Sequence, residues 1–212
     1  ARRMDRMYRH QRHIYDLTRR YYLLGRNRLL DEIPVEAGDT LLEIGCGTGR
    51  NLVRLARRHP ELIMVGIDAS AAMLGSAREA AARAGLAHRI RLGFGIGEQA
   101  DAGLAGHPAG FRHVVFSYAL SMFDEPVAAL DRAIALLAPG GILHVVDFGD
   151  AAALPRWFQQ GLVAWLDRFG VRHRPEVAHH LRTLAAADRG RFEHRPLAGR
   201  YAEIMRFWPA NA

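Results

Sequence analysis

The 212-residue sequence predicts a doubly wound α/β domain, a mostly parallel seven-stranded sheet with helices on both faces, preceded by a basic amphipathic helical arm. Three observations lead there. From residue 40 onward short apolar runs alternate with helical patterns. A glycine loop joins the first run to the first helical pattern. The net charge of +7 falls wholly within the first thirty residues. The length suits one domain with its own core. A hydrophobic content of 50% excludes disorder, and the single Cys46 excludes a disulfide scaffold. No run of about 18 apolar residues offers a membrane span. Residues 1–22 are studded with Arg and lack the apolar stretch of a secretory signal, so the expectation is a soluble cytoplasmic protein.

Taken in chain order, residues 1–30 form the arm and 31–212 the α/β domain, with residues 34–39 as the joint. Every one of the 29 basic residues is Arg. Met4, Met7, Tyr8, Ile14, Tyr15, Thr18, Tyr21 and Tyr22 share one face at helical spacing, and Arg2, Arg6, Arg9, Arg12 and Arg20 the other. Charge so localised calls for a nucleic acid, an anionic membrane surface or an acidic partner. Strands are expected at 40–44, 62–67, 90–93, 114–118 and 142–148, where near-continuous Val, Ile and Leu mark a sheet buried on both faces. Helices are expected at 51–58, 71–84 and 127–137. A further helical face at 154–169 is rich in aromatics, and Trp157, Phe158, Trp165 and Phe169 read as cover for the sheet rather than as membrane contacts. Residues 191–194 and 200–207 read as a terminal antiparallel pair. His173, His179 and His180 lack ligand partners at usable spacing, so no metal site is expected.

The strongest motif is Glu43-Ile44-Gly45-Cys46-Gly47-Thr48-Gly49, after a strand and opening a helix. Its glycines let the chain turn tightly and approach a ligand closely. The order is G-x-G-x-G rather than the dinucleotide G-x-G-x-x-G, and Glu43 two residues ahead suits a cofactor end carrying ammonium rather than phosphate. Asp68, 19 residues after Gly49 at the end of the second strand, stands where a βαβ unit places its ribose-binding acid. Cys46 reads as a small residue tolerated in a tight loop, not as a nucleophile.

This combination resembles the class I S-adenosylmethionine-dependent methyltransferases over residues 31–212. The resemblance implies S-adenosyl-L-methionine as cofactor, with ribose on Asp68 and adenine lined by Ala69 and Met73. Ile96 stands where the family carries an Asp, so adenine contact would pass through Ile96, Gly97 or Glu98. Ser117 and Tyr118 match the wall near the methionine moiety, and Pro139-Gly140-Gly141 before the fifth strand is a further landmark. Asp147 is open between a substrate contact and a helix cap.

The string from Tyr8 to Arg28, with Ser117–Met122 and His144–Gly149, resembles the bacterial diacylglycerylhomoserine N-methyltransferases (BtaB type). That implies three successive methylations of a glycerolipid amine, performed on the cytoplasmic face of a membrane. Tyr8, Arg12, Arg19, Tyr22 and Arg26 are the expected lipid and membrane contacts. Tyr15 and Tyr118 are expected beside the sulfonium, where aromatic faces stabilise cations. Tyr118, Asp147, His10 and His13 are the candidate proton acceptors. Two other acceptors stay open: phosphatidylethanolamine, or a small molecule or RNA held through phosphate by the arm. Nucleic acid is disfavoured because the neutral body lacks a basic groove interleaved with aromatics. The sequence sets no oligomeric state.

Overall fold

The computed structural model describes residues 22–101 and 109–210. In chain order the elements are α1 (Arg26–Asp31), β1 (Thr40–Ile44), α2 (Arg50–Arg58), β2 (Ile63–Asp68), α3 (Ala71–Arg83), β3 (Ile90–Phe94), β4 (Phe111–Ser117), α4 (Pro126–Ala135), β5 (Leu137–Phe148), α5 (Arg156–Asp167), α6 (Pro175–Ala186), β6 (Gly190–Leu197) and β7 (Ala202–Pro209). Two 3-10 turns, Gly97–Gln99 and Leu120–Met122, follow β3 and β4. The seven strands form one sheet in the order β3-β2-β1-β4-β5-β7-β6. β1 to β5 run parallel, and β7 is antiparallel to both β5 and β6. The winding reverses between β1 and β4, and a crevice at the carboxyl ends of these strands is where such sheets bind ligands.

Strand alternation builds the two cores. In β1, Leu41 joins a cluster with Leu29, Leu52, Leu74, Val146 and Leu166 under α1, α2, α3 and α5. Its neighbours Leu42 and Ile44 join Val114, Phe116, Leu130 and Leu181 under α4 and α6. Period-two side chains thus send alternate residues to opposite faces, which is why these strands read as unbroken apolar runs. Arg89, in the loop before β3, donates to the carbonyls of Ala56, His59 and Leu62, fastening the end of α2 to the entry of β2.

The expected class holds, and the departures have local causes. β4 begins three residues early, and β5 extends through Pro139-Gly140-Gly141 instead of starting after it. A register irregularity between Phe111 and His113 absorbs that turn, with Gly140 at φ +72°. α6 was not anticipated: Pro175 at its first turn and Val177 and Leu181 packed inward define it, but two inward residues make a faint periodic signal. The aromatic segment divides. Trp165 and Phe169 pack on the core, whereas Trp157 is 74% exposed and Phe158 37%, so these two do not cover the sheet. Among the described residues no helix is long and apolar enough to cross a membrane, and no cluster of three or more His, Cys, Asp or Glu is arranged to hold a metal.

Candidate active site

A cavity of about 780 Å³ opens at the carboxyl ends of β1, β2 and β4. The loop from β1 to α2 forms its floor. Gly45, Gly47 and Gly49 stand at φ +75°, +53° and +72°, the left-handed region that side chains disfavour. At Gly45 a Cβ would also meet the Ala119 side chain at 2.7 Å. Asp68 ties the floor to β2: its carboxylate accepts from Gly47 N–H at 2.7 Å and from Ser70 N–H at 2.8 Å. The loop thereby presents backbone to the cavity, with the carboxylate beside it.

Glu43 sits on the same strand face as Leu41 and is buried at the cavity wall. Its Oε1 accepts from Asn51 Nδ2 at 2.6 Å, and its Oε2 has no hydrogen-bond partner. Burial pushes its carboxyl up to about 8, against the Asn51 bond and the nearby Arg26 charge, which favour the ionised form. A buried carboxylate oxygen left without a partner costs free energy that a ligand cation would recover. Ser117 Oγ is likewise unpartnered and also faces the cavity.

The remaining wall comes from several elements. Ala69 and Met73 open α3, and Ile96, Gly97 and Glu98 follow β3. A Cβ at Gly97 would meet the Phe123 ring at 2.4 Å, so this close backbone approach needs glycine. Cys46 lines the cavity too, but burial raises its thiol well above the usual range, consistent with a packing residue and not a nucleophile. The lining also includes Arg50, Arg54, Arg57 and Arg58 of α2, Arg83 of α3 and Met122; Leu23, Asn51, Phe123 and Asp124 belong to it too and were not singled out in the sequence. Of these, Asn51 had a legible signal, a polar residue in the first turn of the helix that follows the glycine loop.

Tyr118 directly follows β4 at φ +55°, a strained conformation for a bulky residue. Three contacts hold it: its N–H donates to Val146 O, its ring packs on Phe148, and its hydroxyl donates to Leu24 O. Burial raises this hydroxyl well above its ordinary value, so Tyr118 lines the cavity as an aromatic wall and not as a proton acceptor. Asp147 differs from the expectation as well. It is absent from the cavity lining and accepts from Ser121 N–H at 3.0 Å and Phe148 N–H at 2.8 Å. Burial raises its carboxyl to about 6, and its work is to anchor the Leu120–Met122 turn. Of the expected membrane contacts, Arg26 is 8% exposed and lines the cavity, and Tyr22 packs edge-on against Trp165 with ring centroids 4.7 Å apart. Tyr8, Arg12, Tyr15 and Arg19, with His10 and His13, lie outside the described residues.

Residues 42–143 match the family described as a methyltransferase domain. That match spans just under half of the chain. The sequence is 33% identical over 118 residues to a trans-aconitate 2-methyltransferase of Methylobacterium radiotolerans, covering 55% of this chain and 41% of that one. The chain therefore spans under half the length of that curated relative. An O-methyltransferase family protein from Burkholderia thailandensis superimposes with a TM-score of 0.72 at 19% identity, over 97% of this chain and 62% of its own. The neocarzinostatin O-methyltransferase NcsB1, solved in complex with S-adenosylmethionine, does so at 0.61 and 22%, over 82% and 49%. Both likenesses are of fold, the seven-stranded class I methyltransferase sheet.

S-adenosylmethionine, the cofactor the sequence leads one to expect and the one bound in the NcsB1 structure, fits the cavity. The unpartnered Glu43 Oε2 suits the ammonium of its amino acid end. Asp68 suits the ribose hydroxyls, and the glycine floor leaves room for close backbone approach. Ala69, Met73 and Ile96 line the cavity with apolar surface that would suit the adenine.

Proposed function

We propose that the chain is an S-adenosylmethionine-dependent N-methyltransferase that methylates the amine of diacylglycerylhomoserine to its trimethyl form on the cytoplasmic face of a membrane. Residues 1–30 act as the arm that reaches the anionic surface, with α1 as its docked end, and 31–212 act as the catalytic domain. One observation carries the acceptor class: both expected proton acceptors of the body are committed elsewhere, Tyr118 to Leu24 O and Asp147 to two backbone N–H groups. A hydroxyl acceptor needs a base placed beside it, whereas a neutral amine attacks with its own lone pair and its ammonium product gives up a proton to water before the next transfer.

The bound cofactor supplies a methyl group already activated on a sulfonium. The chain then has to bind, orient and desolvate. Glu43 fixes one end of the cleft and Asp68 the middle, so that the acceptor amine meets its target in line. Leu23, Met122, Phe123 and the Tyr118 ring exclude water from the acceptor side. The aromatic faces favour the ammonium that builds up as methyl groups are added.

A second reading, O-methylation of a small carboxylic acid, is favoured by the buried Arg26 in the cavity wall and by the named activity of the trans-aconitate relatives. Isotope-labelled cofactor separates the two. Label in mono-, di- and trimethyl lipid from diacylglycerylhomoserine vesicles supports the N-methyl reading. Label in a base-labile ester of trans-aconitate, with none in lipid, replaces it. Vesicles of phosphatidylethanolamine and a bulk RNA serve as the remaining acceptors.

A further inference from the structure

The outward side of α5 is unusual for a surface helix. Trp157 and Val163 are 74% and 56% exposed, Phe158 is 37% exposed, and Gln160, Gly161 and Ala164 beside them are exposed as well. No charged residue lies between Arg156 and Asp167, an interval of about 15 Å along the helix. Arg156 precedes the apolar stretch, and Arg168 and Arg172 follow it.

The same helix forms the back of the acceptor wall. Its inward Trp165 and Leu166, with Phe169 and Val171 beyond, pack with Tyr22, Leu23, Tyr118, Met122 and Phe148 around a small apolar void next to the main cavity. Leu23, Tyr118 and Met122 line both spaces. The chain after α5 is fastened to the same wall: Arg172 N–H donates to Ser121 O, and Arg174 donates to Phe123 O. One side of α5 therefore bounds the acceptor end of the cleft while its other side offers aromatic and aliphatic surface to the outside.

We infer that the outward face of α5 is a membrane-insertion surface, seating Trp157, Phe158 and Val163 in the interface of an anionic bilayer at the mouth of the cleft. The inference rests on the membrane-surface part of the function proposed above. Charge complementarity selects the occupant. Trp and Phe flanked by Arg156 on one side and by Asp167, Arg168 and Arg172 on the other, a net positive border, with an Arg-rich segment carrying +7 elsewhere in the chain, match an interface where apolar chains lie beneath anionic head groups. At 12 residues α5 is too short to span a bilayer, and it lies in the plane instead. The two contributions are separable by salt. Attraction of the Arg residues is screened to about 3 Å in 1 M salt, whereas burial of Trp157 and Phe158 persists.

The experiment is cosedimentation of the full chain with phosphatidylcholine vesicles containing phosphatidylglycerol, which carry no methylatable amine, in low and 1 M salt. Binding that survives 1 M salt, and falls about tenfold or more in the Trp157→Ala, Phe158→Ala double variant, is the expected result. Acyl chains brominated near the head group should quench the wild-type tryptophan emission and quench Trp157→Ala much less. Equal binding and equal quenching of the two proteins overturns the inference. So does a dimer in light scattering that Trp157→Ala dissolves, which makes the patch a protein interface. Because these vesicles offer no acceptor, the result stands or falls independently of whether diacylglycerylhomoserine is methylated.

Discussion

Glu43, with its buried unpartnered Oε2, is the residue at which the proposed cofactor recognition is tested most sharply. Its ordinary carboxyl value is 4.5, and burial raises it to about 8 in the free protein. A folded-state value above the unfolded one means that protonated Glu43 is tolerated, and that stability is lost as pH rises from about 4.5 through about 8. A cofactor ammonium at Oε2 reverses that preference, so binding near neutral pH should release a proton. Calorimetry in buffers of different ionisation enthalpy should show that release, and Glu43→Gln should abolish it while weakening cofactor binding by about 1.5–3 kcal/mol. No proton release by the wild type would contradict the role. A different outcome is expected at Tyr118, whose hydroxyl reaches Leu24 O and not an acceptor. In Tyr118→Phe the pH profile of kcat should keep its shape; loss of its ascending, low-pH limb would make Tyr118 the proton acceptor after all.

At the scale of elements, what the sequence made legible is what depends on local pattern. The strands of the parallel sheet announce themselves because both faces are buried, and the floor of the cleft because Gly45, Gly47 and Gly49 must adopt positive φ. The roles of Tyr118 and Asp147 were not legible, since each is set by a partner far along the chain, Leu24 for one and Ser121 for the other. The exposure of Trp157 and Phe158 was hidden for a related reason. Aromatics at helical spacing look the same whether they face a core or solvent. Arg89 is another long-range device, joining α2 to β2 through three carbonyls. Arg89→Ala should destabilise the chain by about 2 kcal/mol, a fall of roughly 4–8 °C in Tm, by leaving those carbonyls short of a donor. An unchanged Tm would show that water replaces the guanidinium at no cost.

Across the whole molecule, a polar chain runs through the core beneath α1. Asp39 only accepts, so His113 Nε2 donates to it at 3.1 Å. His113 Nδ1 then accepts from His144 Nε2 at 3.2 Å, which leaves His144 Nδ1 without a partner. Burial lowers both imidazoles below 6.5, with Arg112 and Arg206 adding to the effect and Asp39 and Glu36 opposing it at His113. The unfolded chain binds these protons more readily, so stability is lost as pH falls below about 6.5. Glu32 acts further into acid. Arg206, Arg28 and Arg195 hold it at about 2 against the cost of burial, so its contribution is lost as pH falls from about 4.5 through about 2. His144→Phe should cost roughly 1–2 kcal/mol at pH 7.5 yet lose less stability than the wild type between pH 7.5 and 5.5. Denaturant melts at the two pH values check this, and parallel slopes would refute it.

The proposed function divides the labour along the charge, +7 on residues 1–30, of which Leu23 and Arg26 reach the cleft, and a neutral remainder that supplies the rest of its lining. The most direct test of that account is a lipid mass spectrum from cells that make diacylglycerylhomoserine and express this chain, compared with cells expressing Asp68→Asn. The account predicts mono-, di- and trimethyl lipid in the first and unmethylated lipid in the second. Unmethylated lipid in both, from chains that bind S-adenosylmethionine, would contradict it.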